Sequence, residues 1–126
     1  MSKVRNIMSK KPITISEDAD IRKLCKTLAK SRLSGLPVIG KGRNLVGFVS
    51  ERDIIKAVAK PKFMELTAKT IMIKKVKTVG PDDPLTHASK IFSELDLRIL
   101  PVIKGGKVVG LITRRAVIER LLSTLH

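Results

Sequence analysis

The chain is an internal duplication, and this constrains its architecture more than any local motif, because a repeated unit must fold the same way twice. Setting each residue beside the one 64 positions further on pairs Met8 with Met72, Asp18 with Asp82, and Leu36-Pro37-Val38-Ile39 with Leu100-Pro101-Val102-Ile103. One residue fewer in a later turn moves the offset to 63. Leu45-Val46-Gly47-Phe48-Val49-Ser50 then lies beside Val108-Val109-Gly110-Leu111-Ile112-Thr113. The duplication predicts repeat 1 over 1–62 and repeat 2 over 63–126, joined near Lys60 to Lys69 and together forming one small compact module.

Both copies carry the same succession of hydrophobic patterns. Ile13-Thr14-Ile15 and Val76-Lys77-Thr78-Val79 alternate apolar and polar side chains, which predicts a short strand in each. Ile21, Leu24, Cys25, Leu28 and Ala29 then recur at helical spacing, with Ser16, Asp18 and Asp20 available as caps. In the second copy Leu85, Ala88, Phe92 and Leu95 repeat the period behind Asp83-Pro84, read as N-cap and first helical residue. Leu36–Ile39 with Leu45–Val49, and Leu100–Ile103 with Val108–Ile112, flank glycine-containing turns and predict hairpins. Closing helices carry Ile54, Ile55, Val58 and Ala59 in one copy and Val117, Ile118, Leu121, Leu122 and Leu125 in the other. The fold class is therefore α/β in the α+β sense: two tandem β-α-β-β-α repeats. Sixty residues bury too little surface to stand comfortably alone, so the copies are expected to pack about a pseudo-twofold axis that creates a cleft. The large apolar residues of the closing helices invite burial against a second chain.

Composition narrows the function. The lone Cys25 cannot form an internal disulfide, and His87 and His126 offer no zinc-ligand spacing, so the chain reads as intracellular and metal-free. Neither a secretory leader nor about 18 consecutive apolar residues occur, which predicts a cytoplasmic protein with no membrane span. No Ser-His-acid set, Cys-His pair or Gly-x-x-x-x-Gly-Lys-Ser/Thr loop can be assembled, so the chain is not expected to be an enzyme or to require a cofactor. Cys25, Met8 and Met72 are read as packing residues. The formal net charge of +15 favours polyanionic partners, and the first 64 residues are the more basic half.

The Met, the strand, the helix, Leu-Pro-Val-Ile and Gly47-Phe48-Val49-Ser50-Glu51-Arg52-Asp53, with duplicates of these landmarks in the same order, resemble a cystathionine-β-synthase (CBS) domain pair over nearly the whole chain. The resemblance implies a two-repeat module that binds an adenosine ligand (AMP, ADP, ATP or S-adenosylmethionine) in the cleft between repeats. It also implies a disc-shaped homodimer and a regulatory, energy-sensing role. With nothing attached to this chain, the regulated target is expected to be a separate protein.

Gly47 to Asp53 fit the family's strand-to-helix pattern. A helix N-terminus and the Ser50 hydroxyl suit a phosphate, while Asp53 suits the vicinal hydroxyls of a ribose. Ser-x-x-Asp is also a capping box, which needs no ligand, and Ser50 is able to serve both purposes. In the second copy Thr113 matches Ser50 but Ala116 replaces Asp53, so one competent nucleotide site per chain is expected. By the resemblance, Ile13, Thr14 and Ile15 with Gly35, Leu36 and Pro37 line an adenine slot; for Ile15, strand core is part of the reading. Arg115, with Arg52, Arg98 and Arg114, is a candidate for phosphate or an ordinary solvated cation.

Two rival readings remain beside the adenosine-binding module. One is nonspecific nucleic-acid binding through basic clusters such as Lys10-Lys11, Lys74-Lys75-Val76-Lys77 and Arg114-Arg115; three Phe and no Trp or Tyr leave little for stacking on bases. The other is a ligand-free scaffold kept soluble by its charge.

Overall fold

The computed structural model describes residues 2–125, so His126 lies outside the described residues. In chain order the elements are β1 (Ile15–Ser16), α1 (Ile21–Ser31), β2 (Gly35–Ile39), β3 (Leu45–Ser50), α2 (Glu51–Val58), α3 (Ala68–Ile71), α4 (Leu85–Glu94), β4 (Ile99–Lys104), β5 (Lys107–Thr113) and α5 (Arg114–Thr124). Single 3-10 turns occupy Val4–Asn6, Lys41–Arg43 and Phe63–Glu65. The order is the mixed α and β succession expected of the tandem repeat.

Both hairpins form. β2 and β3 pair antiparallel with Leu36 opposite Val49, and β4 and β5 with Leu100 opposite Ile112. The β4–β5 turn is the glycine pair Gly105-Gly106, both at positive φ, the geometry that closes a two-residue hairpin with the correct twist. β1 adds to β2 in parallel, Ile15 opposite Val38.

The two leading strands are shorter than their alternation predicts, and prolines explain it. β1 keeps only Ile15 of the expected Ile13–Ile15 and runs on to Ser16, without Ile13 or Thr14. A parallel ladder continued backward would need an N–H at position 37 for the Ile13 carbonyl, and Pro37 has none. In the second copy the strand expected over Val76–Val79 shrinks to one bridge, Val79 to Val102, because continuing it backward needs an N–H at Pro101 for the Lys77 carbonyl. In the first copy Glu17 N–H continues the pairing to Ile39 O at 3.0 Å. Its counterpart, Pro81, has no donor with which to do the same.

Contacts divide the chain into two compact units, Met1–Pro12 with Lys77–His126, and Ile13–Val76. Within each unit the hairpin is completed by the segment that opens the other copy in sequence. In the unit holding β4 and β5, Val4 joins a core of Val79, Ala88, Ile91, Leu100, Val102, Ile112 and Val117. Val4 N–H reaches Asp83 O and Arg5 N–H reaches Pro81 O, both at 2.9 Å. In the unit holding β2 and β3, Ala68 joins Ile15, Ile21, Leu24, Leu36, Val38, Val49, Ile54 and Ala57. There Ala68 N–H reaches Ala19 O at 2.8 Å and Lys69 N–H reaches Glu17 O at 2.9 Å. The bonds match residue for residue, the donors 64 positions on and the acceptors 64 positions back.

Met8 and Met72 are packing residues, each partly buried against the core of its unit. Each covers a strand glycine: a Cβ built on Gly47 would lie 2.7 Å from Met72 Cγ and 2.8 Å from Ile73 O, and one on Gly110 2.6 Å from Met8 Sδ and 2.8 Å from Ser9 O. Without a side chain, β3 and β5 each accept the incoming segment as a further antiparallel neighbour. Phe48 and Ile73 exchange two backbone bonds of 2.9 Å, and Ser9 and Leu111 two of 2.8 and 3.3 Å.

Helix starts follow side-chain chemistry in some cases and not in others. Asp20 caps α1, its Oδ1 accepting from Lys23 N–H at 2.8 Å. Asp83 does not cap α4: its Oδ2 instead accepts from Gly80 N–H at 2.8 Å, so the carboxylate closes the preceding turn and Pro84 takes the N-cap position. Cys25 departs from the buried reading and is exposed, because Ile21 and Leu24 turn inward and Cys25 follows Leu24 by about 100° around the helix.

Candidate functional site

The candidate residues of the first copy all fall within the Ile13–Val76 unit, held around the β2–β3 hairpin. Gly35 stands opposite Ser50 in the ladder, and Pro37 opposite Phe48. The close approach of Gly35 to its neighbours leaves no room for a side chain, since a Cβ there would lie 2.7 Å from Cζ of the Phe48 ring and 2.9 Å from Val49 O. Leu36, Pro37 and Ile15 are buried, Thr14 is half-buried and Ile13 is 40% exposed. What Gly35, Leu36 and Pro37 offer to a ligand is therefore backbone, while Ile13 offers side-chain surface.

At the β3–α2 turn the chain builds a complete capping box. Ser50 Oγ accepts from Asp53 N–H at 3.2 Å, and Asp53 Oδ2 accepts from Ser50 N–H at 2.9 Å. The Ser50 hydroxyl also donates to the same Oδ2 at 2.9 Å. These contacts go to one carboxylate oxygen, Oδ2. Oδ1 makes no hydrogen bond among the described residues. The cap thus fixes the side chain of Asp53 at a half-buried position without using all its acceptor capacity.

The turn leading into α5 shows the cap without the acid. Thr113 Oγ1 accepts from Ala116 N–H at 3.1 Å, and the alanine returns nothing. The next backbone bond is common to both copies: Glu51 N–H to Ser34 O at 2.9 Å, and Arg114 N–H to Arg98 O at 3.1 Å. The electrostatics differ in sign. The first turn of α2 carries Glu51 and Asp53, which match the positive end of the helix dipole. The first turn of α5 has no acid and carries Arg114 and the exposed Arg115, an end that attracts anions twice over. Ser50 and Asp53 suit neutral hydroxyl donors, whereas Thr113 and Arg115 suit a phosphate.

Sequence reasoning missed two features near these residues. The methionine-on-glycine contacts have a sequence signal, since Met8 and Met72 match and so do Gly47 and Gly110. Which methionine meets which glycine has none. Nor did periodicity single out the lysine-rich outer side of α1, because it treats solvent-facing charge as mere solvation. No described helix is long and apolar enough to cross a membrane.

A family model described as the CBS domain matches residues 4–60 and again 68–123. Among relatives, the uncharacterized protein MJ1426 of Methanocaldococcus jannaschii is 29% identical across 94% of this chain and 90% of its own. L-aspartate semialdehyde sulfurtransferase of the same organism is 33% identical across 87% of this chain. A-adding tRNA nucleotidyltransferase of Aquifex aeolicus is 26% identical across 98% of it. The chain spans only 21% of the first of these enzymes and 15% of the second. Among solved structures, the CBS domain pair of protein MJ0100, in complex with 5′-methylthioadenosine and S-adenosyl-L-methionine, is 32% identical with a TM-score of 0.84, covering 98% of both chains. CBSX2 in complex with AMP shares the fold, with a TM-score of 0.88 at 23% identity over 98% of each chain.

Proposed function

The chain belongs to the CBS-domain family and is made of two copies of that domain; from this premise we propose that it is a regulatory module that binds an adenosine ligand at the β3–α2 turn and signals to a separate protein. AMP, ADP, ATP and S-adenosylmethionine are the ligands to test. The observation that carries the reading is the half-buried Asp53, pinned through Oδ2 by Ser50 while Oδ1 is left to accept from ribose hydroxyls. The likeness to a pair solved with two adenosine compounds, over nearly all of both chains, supports the ligand class. Ile13, Thr14 and Ile15 with the backbone of Gly35, Leu36 and Pro37 supply the adenine side. Thr113 and Arg115, in the other unit, are candidates for holding an anion at the start of α5. With Ala116 in place of a carboxylate, the second copy holds no equivalent ribose contact, so one ligand binds per chain. Signalling requires two conformations with different ligand affinity, whose balance the ligand shifts.

Calorimetric titration of the four ligands tests this. Asp53→Ala is expected to weaken binding tenfold or more, since a hydrogen bond to a charged group contributes about 1.5–3 kcal/mol. The substitution also removes one half of the capping box, so Asp53→Asn, which keeps an acceptor oxygen for Ser50, separates the roles. Lowered stability with unchanged ligand affinity in both variants would reduce Asp53 to a cap. Binding of none of the four by the native chain would end the adenosine reading.

The same proposal includes a homodimer. Ile55 on α2 is 68% exposed and Leu122 on α5 is 73% exposed, with exposed apolar companions: Val58 on the first helix, Ile118 and Leu121 on the second and Leu125 just beyond its end. A second copy is the occupant we assign to these faces. Light scattering should report a dimer for the native chain and a monomer for Leu122→Glu; a monomeric native chain refutes the assignment.

A further inference from the structure

The outer side of α1 carries concentrated positive charge that neither capping nor the ribose site uses. Lys23, Lys26 and Lys30, all exposed, line a cavity of about 300 Å3 together with Thr27, Ser31 and Ile13. No Asp or Glu occurs within α1, and no acidic residue lines the cavity. Asp20, the acid nearest in sequence, is committed to the helix cap. The ion pairs found among the described residues, Arg5 with Asp82 and His87 with Asp83, lie in the other unit. Three like charges at spacings of three and four residues repel one another on a helix face, and an anion placed along them relieves that repulsion.

The spacing selects the anion. From Lys23 to Lys30 the helix advances about 10.5 Å at 1.5 Å per residue. Ammonium groups spread over that length can reach more than one phosphate of a continuous polyanionic backbone, which a single phosphate group does not offer. No aromatic ring lines the cavity, which removes the platform on which unpaired bases stack. The cavity wall is mostly aliphatic, and the charge that suits a sugar-phosphate backbone is that of the exposed Lys23, Lys26 and Lys30 around it, which leave base edges unread. We propose that the α1 face is a docking surface for the phosphodiester backbone of double-stranded nucleic acid, bound without regard to base sequence. This surface shares Ile13 with the adenine side of the proposed site but includes neither Ser50 nor Asp53, and it does not depend on the adenosine reading.

The test measures binding of the full chain to a fluorescent mixed-sequence duplex by anisotropy across a salt series. Its arms are the native protein, Lys23→Gln/Lys26→Gln/Lys30→Gln, and a charge-matched control, Lys74→Gln/Lys75→Gln/Lys77→Gln. All the substituted residues are exposed, and circular dichroism checks that folding is kept. The α1 variant is expected to bind at least tenfold more weakly at about 0.1 M salt and to lose about 2–3 from the log–log salt slope, one unit per phosphate contact. The control should keep most of both. Equal losses in the two variants would show that bulk charge alone attracts the duplex and would overturn the assignment to α1. So would absence of duplex binding at low salt, or tighter lysine-dependent binding to tripolyphosphate or to phosphatidylserine vesicles. AMP titration of the same variant distinguishes the two proposals, because loss of duplex binding should leave adenosine affinity unchanged.

Discussion

Truncating Leu36 or Leu100 to alanine is expected to lower the free energy of unfolding by about 2–5 kcal/mol in each case. Both side chains have 0% exposure, each the second residue of the first strand of its hairpin and each within the core of its unit. The loss combines the transfer energy of the removed carbons with a cavity that surrounding strand and helix residues fill only in part. Domains of this size are stable by about 5–15 kcal/mol in total, so either change removes a large fraction. Urea denaturation monitored by circular dichroism measures it. Met64→Ala, at an exposed position, is the control and should shift stability by no more than about 0.5 kcal/mol. A cost below about 1 kcal/mol at Leu36 or Leu100 would contradict the packing described.

Gly47→Ala and Gly110→Ala form the second expectation, a destabilisation of about 1–3 kcal/mol each from overpacking. The added methyl meets two obstacles of different stiffness. Methionine side chains can move, but the carbonyls of Ile73 and Ser9, each 2.8 Å from the new carbon, are fixed by pairing with β3 and β5. Adding Met72→Ala to Gly47→Ala, or Met8→Ala to Gly110→Ala, should therefore fail to restore native stability. Hydrogen exchange should show faster opening at the Phe48–Ile73 and Ser9–Leu111 pairs, where the incoming segment is displaced. Full stability of the single alanine variants would mean that these segments do not lie against the glycines.

Much of this architecture is legible because it depends on short-range pattern. Alternation and turn glycines give the hairpins, and helical spacing gives α1, α4 and the closing helices. The failures come where a local rule meets a missing donor or a competing acceptor. Val76 to Val79 alternates like a strand, yet Pro101 has no N–H for the Lys77 carbonyl behind the Val79 bridge, and Pro81 withholds ahead of it the N–H that Glu17 supplies in the first copy. Asp83 has cap chemistry before a proline, yet its carboxylate accepts from the Gly80 amide of the preceding turn instead. Cys25 sits within an apolar period, yet the helix turns Ile21 and Leu24 toward the core instead. At the site, the capping box was visible in Ser-x-x-Asp, but only the coordinates show that it engages one oxygen of Asp53.

The sequence by itself determined the duplication, the succession of elements in each copy, and the asymmetry between Asp53 and Ala116. Those properties reside in residue identity and in spacings of a few residues. Only the tertiary structure decided which opening segment completes which hairpin. The duplicated chain offers equivalent choices, since Met8 and Met72 match, Val4 and Ala68 match, and both strand glycines stand ready to receive either segment. Local propensity is the same for each pairing. The choice is made by long-range packing, in which Val4 enters the core beside Leu100, Ala68 enters the core beside Leu36, and each segment satisfies the backbone groups that β3 or β5 would otherwise leave unpaired.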